Sequence, residues 1–142
     1  MRLVVDTSVI VKAIRNFNGA SAALIQEVIR ERVVLLVSTP LWLEYESALQ
    51  RPEHWVWPGF GAADADRFLN VLANIATPIE IRFRWRGILP DPDDEMVLET
   101  AINGGADSLV TFNQRDFAPA TTALGLEICR PDAILARLKE RP

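Results

Sequence analysis

The chain has 142 residues, of which 49% are apolar, with 19 acidic and 15 basic side chains and a formal charge of -4. That length supplies one substantial core, so residues 1–142 read as a single domain, and this composition excludes disorder. The acidic balance excludes nucleic-acid binding by bulk charge, though not by local basic clusters.

No apolar run approaches the roughly 20 residues that span a bilayer, and the first residues lack the basic and apolar regions of a signal peptide, so a cytoplasmic protein with no membrane partner is expected. The single cysteine, Cys129, excludes an intramolecular disulfide and a Cys-rich zinc site. It reads as a buried small hydrophobe.

Leu3-Val4-Val5 is a short valine-rich run that reads as a buried strand, and Asp6-Thr7-Ser8 closes it. Each of these three residues is a good helix cap, so capping and chemistry compete as explanations of Asp6. Val9 to Ile14 continues as a short helical turn, and Asn16 to Gly19 is a loop. From Ser21 a helix follows, with Leu24, Ile25 and Val28 inward and Glu27 and Arg30 in water. Val33 to Val37 reads as a second buried strand. Thr39 then caps a helix with Pro40 at its first position, running to about Gln50, and Glu44 lies beside its buried stripe.

Arg51-Pro52 ends that helix. His54 stands without a second nitrogen or thiolate ligand, so it makes no metal site. Trp55 and Trp57 pin the loop if buried and offer a stacking or anchoring surface if exposed. Ala62 to Ala73 is amphipathic. Ile79 to Arg86 alternates strictly and predicts a half-buried strand or extended segment. Its polar side carries Arg82, Arg84 and Arg86, a stripe that suits phosphate contact or a solvated sheet edge.

Leu89 to Glu95 opens the next helix. Asp94 stands three, four and seven residues before Val97, Leu98 and Ala101, so it points to the sheet while Asp93 and Glu95 face water. Ser108 to Thr111 is a further strand, leading to Asn113 and Asp116. Glu127 to Cys129 is the last strand, and Pro131 starts a terminal helix. This order predicts a mostly parallel α/β sheet with helices on both faces and ligands at the carboxyl ends of the strands. Asp6, Asn113 and Asp116 follow strand ends, Asp94 opens a helix on that side, and Glu44 lies in the helix after the second strand. Carboxylates crowded there repel one another unless a cation compensates, and their hard oxygens select Mg²⁺ or Mn²⁺.

The segments LVVDTSVIV, STPLWLEYESALQRP, LPDPDDEMVLETAINGGADSLVT and VTFNQRDF, in that order, resemble the PIN domain family, especially the VapC-like toxins of bacterial type II toxin–antitoxin systems. The resemblance spans nearly the whole chain. It implies a three-layer α/β/α sandwich with a central mostly parallel sheet, dependence on one or two Mg²⁺ or Mn²⁺ ions, ribonuclease activity on single-stranded RNA, an antitoxin protein as partner and a homodimer. Carried over by position, it makes Asp6, Glu44, Asp94 and Asp116 the catalytic and metal-binding acids, with Thr7, Ser8, Asp91, Thr111 and Asn113 around them. Some members carry aspartate where this chain has Asn113, so Asp116 supplies the fourth charge.

The rival expectation is a catalytically silent PIN-like module that binds RNA or a protein. A phosphoaspartate enzyme fits less well. Asp6-Thr7-Ser8 lacks a second acid, and Lys12 and Lys139 are the only lysines.

Overall fold

The computed structural model describes residues 1–84 and 87–140. Five strands, β1 (Arg2–Val5), β2 (Val34–Ser38), β3 (Ala76–Ile79), β4 (Ser108–Val110) and β5 (Glu127–Cys129), form one sheet in the order β3-β2-β1-β4-β5. Every pairing is parallel. Leu3, Val4 and Val5 are all fully buried, and since successive strand residues point to opposite faces, both faces of β1 are covered. The helices are α1 (Thr7–Arg15), α2 (Ala20–Ile29), α3 (Thr39–Leu49), α4 (Ala62–Ile75), α5 (Pro92–Gly104), α6 (Gln114–Leu124) and α7 (Pro131–Glu140). The result is the expected α/β/α sandwich, with the sheet wholly parallel.

The strand order matters for function. The chain runs outward from β1 to β2 and β3, then crosses back to place β4 and β5 on the other side. β1 and β4 therefore flank the point where the winding reverses, and a crevice forms there beyond their carboxyl ends. α5 packs under β1, β2, β3 and β4 and also against α3. Gly104 permits that approach, because a Cβ there would lie 2.9 Å from Leu36 Cδ1.

Several local expectations are corrected. α1 is a full helix of nine residues, not a turn, because Val9, Ile10, Ala13 and Ile14 bury a complete apolar face. Ser38, rather than Thr39, caps α3, accepting from the Leu41 N–H at 3.4 Å, and its Oγ also lies 2.6 Å from Thr100 Oγ1. Glu27 is buried, not wet, and accepts from Arg30 and Arg32 at 3.2 and 3.1 Å.

Of the strand or extended segment predicted over 79–86, the strand is β3, which ends at Ile79, and residues 80–84 lie outside the sheet. There the N–H groups of Arg82 and Phe83 both donate to Asn103 Oδ1 at 2.8 Å, and the alternation that leaves Ile79 and Ile81 half-buried breaks at Phe83, which is 67% exposed. Trp85 and Arg86 lie outside the described residues. α6 has no counterpart in the sequence reading. It contains Pro119, and the carbonyl that proline leaves without a helical donor belongs to the exposed Arg115, while Phe117 and Ala120 anchor the helix in the core.

Candidate active site

Asp6 stands at the N-cap position of α1 with φ -63° and ψ 148°, yet its side chain does not cap the helix. Its Oδ2 accepts two hydrogen bonds of 2.8 Å, from Ser8 Oγ and Thr111 Oγ1. The carboxylate is buried at 5% exposure, and its own N–H donates to the Val110 carbonyl at 2.9 Å. Thr111 is fixed in turn, donating its N–H to the Cys129 carbonyl and accepting from the Asn113 N–H at Oγ1, both at 2.9 Å. The ends of β1, β4 and β5 are thus tied together around Asp6. Both hydroxyls use one carboxylate oxygen.

Asp94 approaches from the N-terminal turn of α5, whose cap is Asp91, accepting from the Asp93 N–H at 2.9 Å. Partial burial pushes Asp94 up to about 6, and the negative charges of Asp6, Asp91, Asp116 and Glu44 push it the same way. Burial likewise raises Glu44, with Asp6 and Asp93 adding to the rise, while the Thr7 hydroxyl and the Arg51 charge hold it back. That hydroxyl is buried and has no hydrogen bond of ordinary geometry. Asp116 lies exposed in the first turn of α6, after Asn113 at the N-cap position.

Of the four acids singled out from the sequence, Asp94 lies within electrostatic reach of Asp6, Glu44 and Asp116, and Glu44 within reach of Asp6, at the carboxyl end of the sheet. They do not form a closed cage. Among the described residues, no three His, Cys, Asp or Glu side chains are arranged to hold a metal ion as they stand.

Glu95 does not face water. It is 3% exposed, its Oε2 has no hydrogen-bond partner among the described residues, and Glu99 one turn later is buried too. α5 is covered by both the sheet and α3, so its buried arc is wider than the single stripe that periodicity reveals.

Arg82 and Arg84 sit in the segment pinned to Asn103, nine residues beyond Asp94 and about 13 Å further along α5. Arg82 pairs with Glu80 at 3.2 Å. His54 lies beside Arg15, with Nδ1 3.2 Å from Nη1, and its Nε2 is 3.7 Å from Glu53. Trp55 is half-buried and pins its loop by donating from Nε1 to the Leu49 carbonyl at 2.9 Å. Trp57 is more open and meets Phe17 edge-on at 5.0 Å. Phe17, Trp57, Phe60 and Phe68 border a hollow of about 370 Å³. Cys129 is buried, which raises its thiol to about 11 and leaves it inert.

Tyr45 is a structural support that periodicity conceals. It reads as one more member of an apolar stripe, but its hydroxyl donates to the Val5 carbonyl beneath Asp6. The neighbour of Glu44 is thereby anchored to the strand that carries Asp6.

A model of the PIN domain matches residues 2–115, which include Asp6, Glu44 and Asp94 and stop one residue before Asp116. The chain belongs to the PIN domain family. This PIN domain is similar in fold to VapBC-1 from nontypeable Haemophilus influenzae, with a TM-score of 0.59 and 14% identity over 93% of this chain and 99% of that one. It is likewise similar to VapBC2 from Rickettsia felis, solved bound to a DNA fragment from their promoter, with a TM-score of 0.61 and 16% identity over 90% and 97% of the two chains. No curated protein matches it by sequence. No helix among the described residues is long and apolar enough to cross a membrane.

Proposed function

We propose that this PIN domain is a metal-dependent endoribonuclease that cleaves single-stranded RNA by attack of an activated water, and that it is the toxin of a toxin–antitoxin pair. One observation carries the reading: Asp94 is raised to about 6, first by its partial burial and then by the charges of Asp6, Asp91, Asp116 and Glu44, with no positive side chain among those causes. Such a field calls for a cation, and the donors are all hard oxygens, which suits Mg²⁺ or Mn²⁺. One or two such ions supply an acidified water and charge neutralisation at a scissile phosphate.

The residues divide the remaining work. Ser8 and Thr111 hold Oδ2 of Asp6, which leaves Oδ1 as the atom that would hold the ion. Asp94 would be the second ligand. Glu44 and Asp116 orient the attacking water, with Thr7 beside Glu44, and Asp91 serves either directly or behind Asp94. Asn113 lines the same rim. Glu44, raised above its ordinary value, takes a proton from water as water bonds to phosphorus and the bond to O3′ breaks, and the leaving O3′ takes up a proton from solvent. The products carry a 5′-phosphate and a 3′-hydroxyl. Arg82, Arg84 and Arg86 are secondary candidates for backbone contact.

The likeness to VapBC structures supports an antitoxin partner. The aromatic hollow around Trp57 suits an apolar helix laid into a groove. A single cytoplasmic domain acting as a homodimer completes the reading. The second reading is the silent binding module, favoured by the absence of a closed three-carboxylate group among the described residues.

Cleavage of single-stranded RNA with Mg²⁺ or Mn²⁺ separates the two. The nuclease stops with chelator and loses activity in Asp6→Asn and Asp94→Asn. A 2′,3′-cyclic phosphate product, or full activity in both variants, overturns it. Expression that leaves growth and translation untouched removes the toxin assignment and spares the nuclease.

A further inference from the structure

A cleft of about 460 Å³ opens beside the acids, lined by Leu43, Glu44, Ser47, Arg51, Asp93 and Met96. Ser47 and Arg51 stand three and seven residues after Glu44, so they lie on the same side, with Arg51 just past the end of α3 and about 10 Å beyond Glu44 along its direction. Arg51 comes just after the C-cap Gln50 and just before Pro52. The proline ends the helix and holds Arg51 extended, at φ -81° and ψ 119°. Its charge reaches Glu44.

Several other exposed arginines are engaged elsewhere. Arg30, Arg67, Arg82, Arg130 and Arg137 each pair with a carboxylate. The Arg51 side chain has no ion pair and donates no hydrogen bond among the described residues. It stands at the far end of a cleft whose near end is an active-site acid. Asp93 on the cleft wall repels phosphate, which leaves Arg51 and the Ser47 hydroxyl as the donors, and Leu43, 55% exposed, gives an apolar surface for a sugar or base.

We infer that this cleft takes the RNA strand next to the scissile bond, with Arg51 gripping the flanking phosphate and Ser47 as a second donor. Arg51 is a substrate-binding residue, and the identity of the strand rests on the nuclease reading above. A phosphate contact adds affinity without sequence preference and shows itself in the salt dependence.

The test is single-stranded RNA binding by fluorescence anisotropy over a range of KCl, comparing Asp94→Asn with the double variant Asp94→Asn/Arg51→Ala, alongside kinetics of Arg51→Ala, Arg51→Lys and Ser47→Ala in the active protein. Loss of one contact should flatten the slope of log K against log salt by about 0.7, equally for RNAs of different sequence. KM should rise roughly tenfold in Arg51→Ala, with kcat nearly unchanged and partial rescue in Arg51→Lys. An unchanged salt slope and KM overturn the inference. So does a variant that only loses thermal stability, because Arg51 would then merely complement the α3 C-terminus. If the wild-type protein cleaves nothing, the nuclease reading fails, and the salt slope still decides whether Arg51 holds phosphate.

Discussion

The Thr111 hydroxyl donates a 2.8 Å hydrogen bond to Oδ2 of Asp6, joining the end of β4 to the end of β1 across 105 residues of sequence. Asp6 is thereby oriented from the opposite side of the crevice as well as by Ser8 of its own helix. Thr111→Val keeps the shape and removes the donor. Metal-dependent cleavage should fall about 10- to 100-fold, as for other groups that orient a ligand carboxylate, while Thr111→Ser retains most of the activity. Equal activity in Val and wild type would show that Ser8 alone suffices.

Without metal, Asp94 should make the protein less stable as pH rises. Its carboxyl ionises near 3.8 in the unfolded chain and at about 6 in the folded one. Below 3.8 it is neutral in both states; between 3.8 and about 6 the folded protein binds more protons, so stability falls with rising pH and then levels off. Glu44 acts in the same direction. In chelator, Asp94→Asn should gain melting temperature over wild type from about pH 4 to pH 6 and hold that gain above it. A difference that is flat with pH, or reversed, refutes the crowding argument.

Divalent metal should reverse that order. Titrating Mn²⁺ into wild-type protein at pH 7.5 should raise Tm steadily with the logarithm of concentration, because the ion binds the folded state. Asp6→Asn and Asp94→Asn should lose most of the rise. An identical rise in the variants would place the ion elsewhere.

Tyr45→Phe leaves the buried Val5 carbonyl without its donor. The loss should be about 1–3 kcal/mol, read as a lower urea midpoint at constant m-value. No shift in midpoint would mean that α3 is held to β1 by packing alone.

Gly104→Ala should also destabilise, by about 1–3 kcal/mol, since the new methyl group meets Leu36 and Ile79 side chains at 2.9 and 3.2 Å. Urea unfolding checks it. A neutral result would show that α5 can move off the sheet at that end.

Much of the site was legible along the chain. The short runs at β1 and β2 are apolar throughout because both faces of the inner strands are covered, and the offset of Asp94 from Val97, Leu98 and Ala101 fits its partial burial. What failed was local pattern in weak tertiary contexts. Ile79 to Arg86 alternates like a strand, yet β3 hydrogen-bonds through Ala76 to Ile79 because α4 runs directly into it, and among the described residues no strand pairs on its other side. Glu95 reads as wet because it falls off the stripe of Asp94, Val97, Leu98 and Ala101, and α6 is hidden by Pro119.

The sequence by itself determined the alternation of strands and helices, their apolar faces and which acids follow strand ends, since these depend on periodicities of two and 3.6 residues. Only the tertiary structure decided that Asp6 takes its partners from Ser8 and Thr111 instead of capping α1, that Tyr45 bonds to Val5, and that Glu44 and Arg51 share one cleft. Those relationships join atoms far apart in the chain. They follow from strand order and from which hydroxyl is nearest once the sheet has closed, and no local period carries that information.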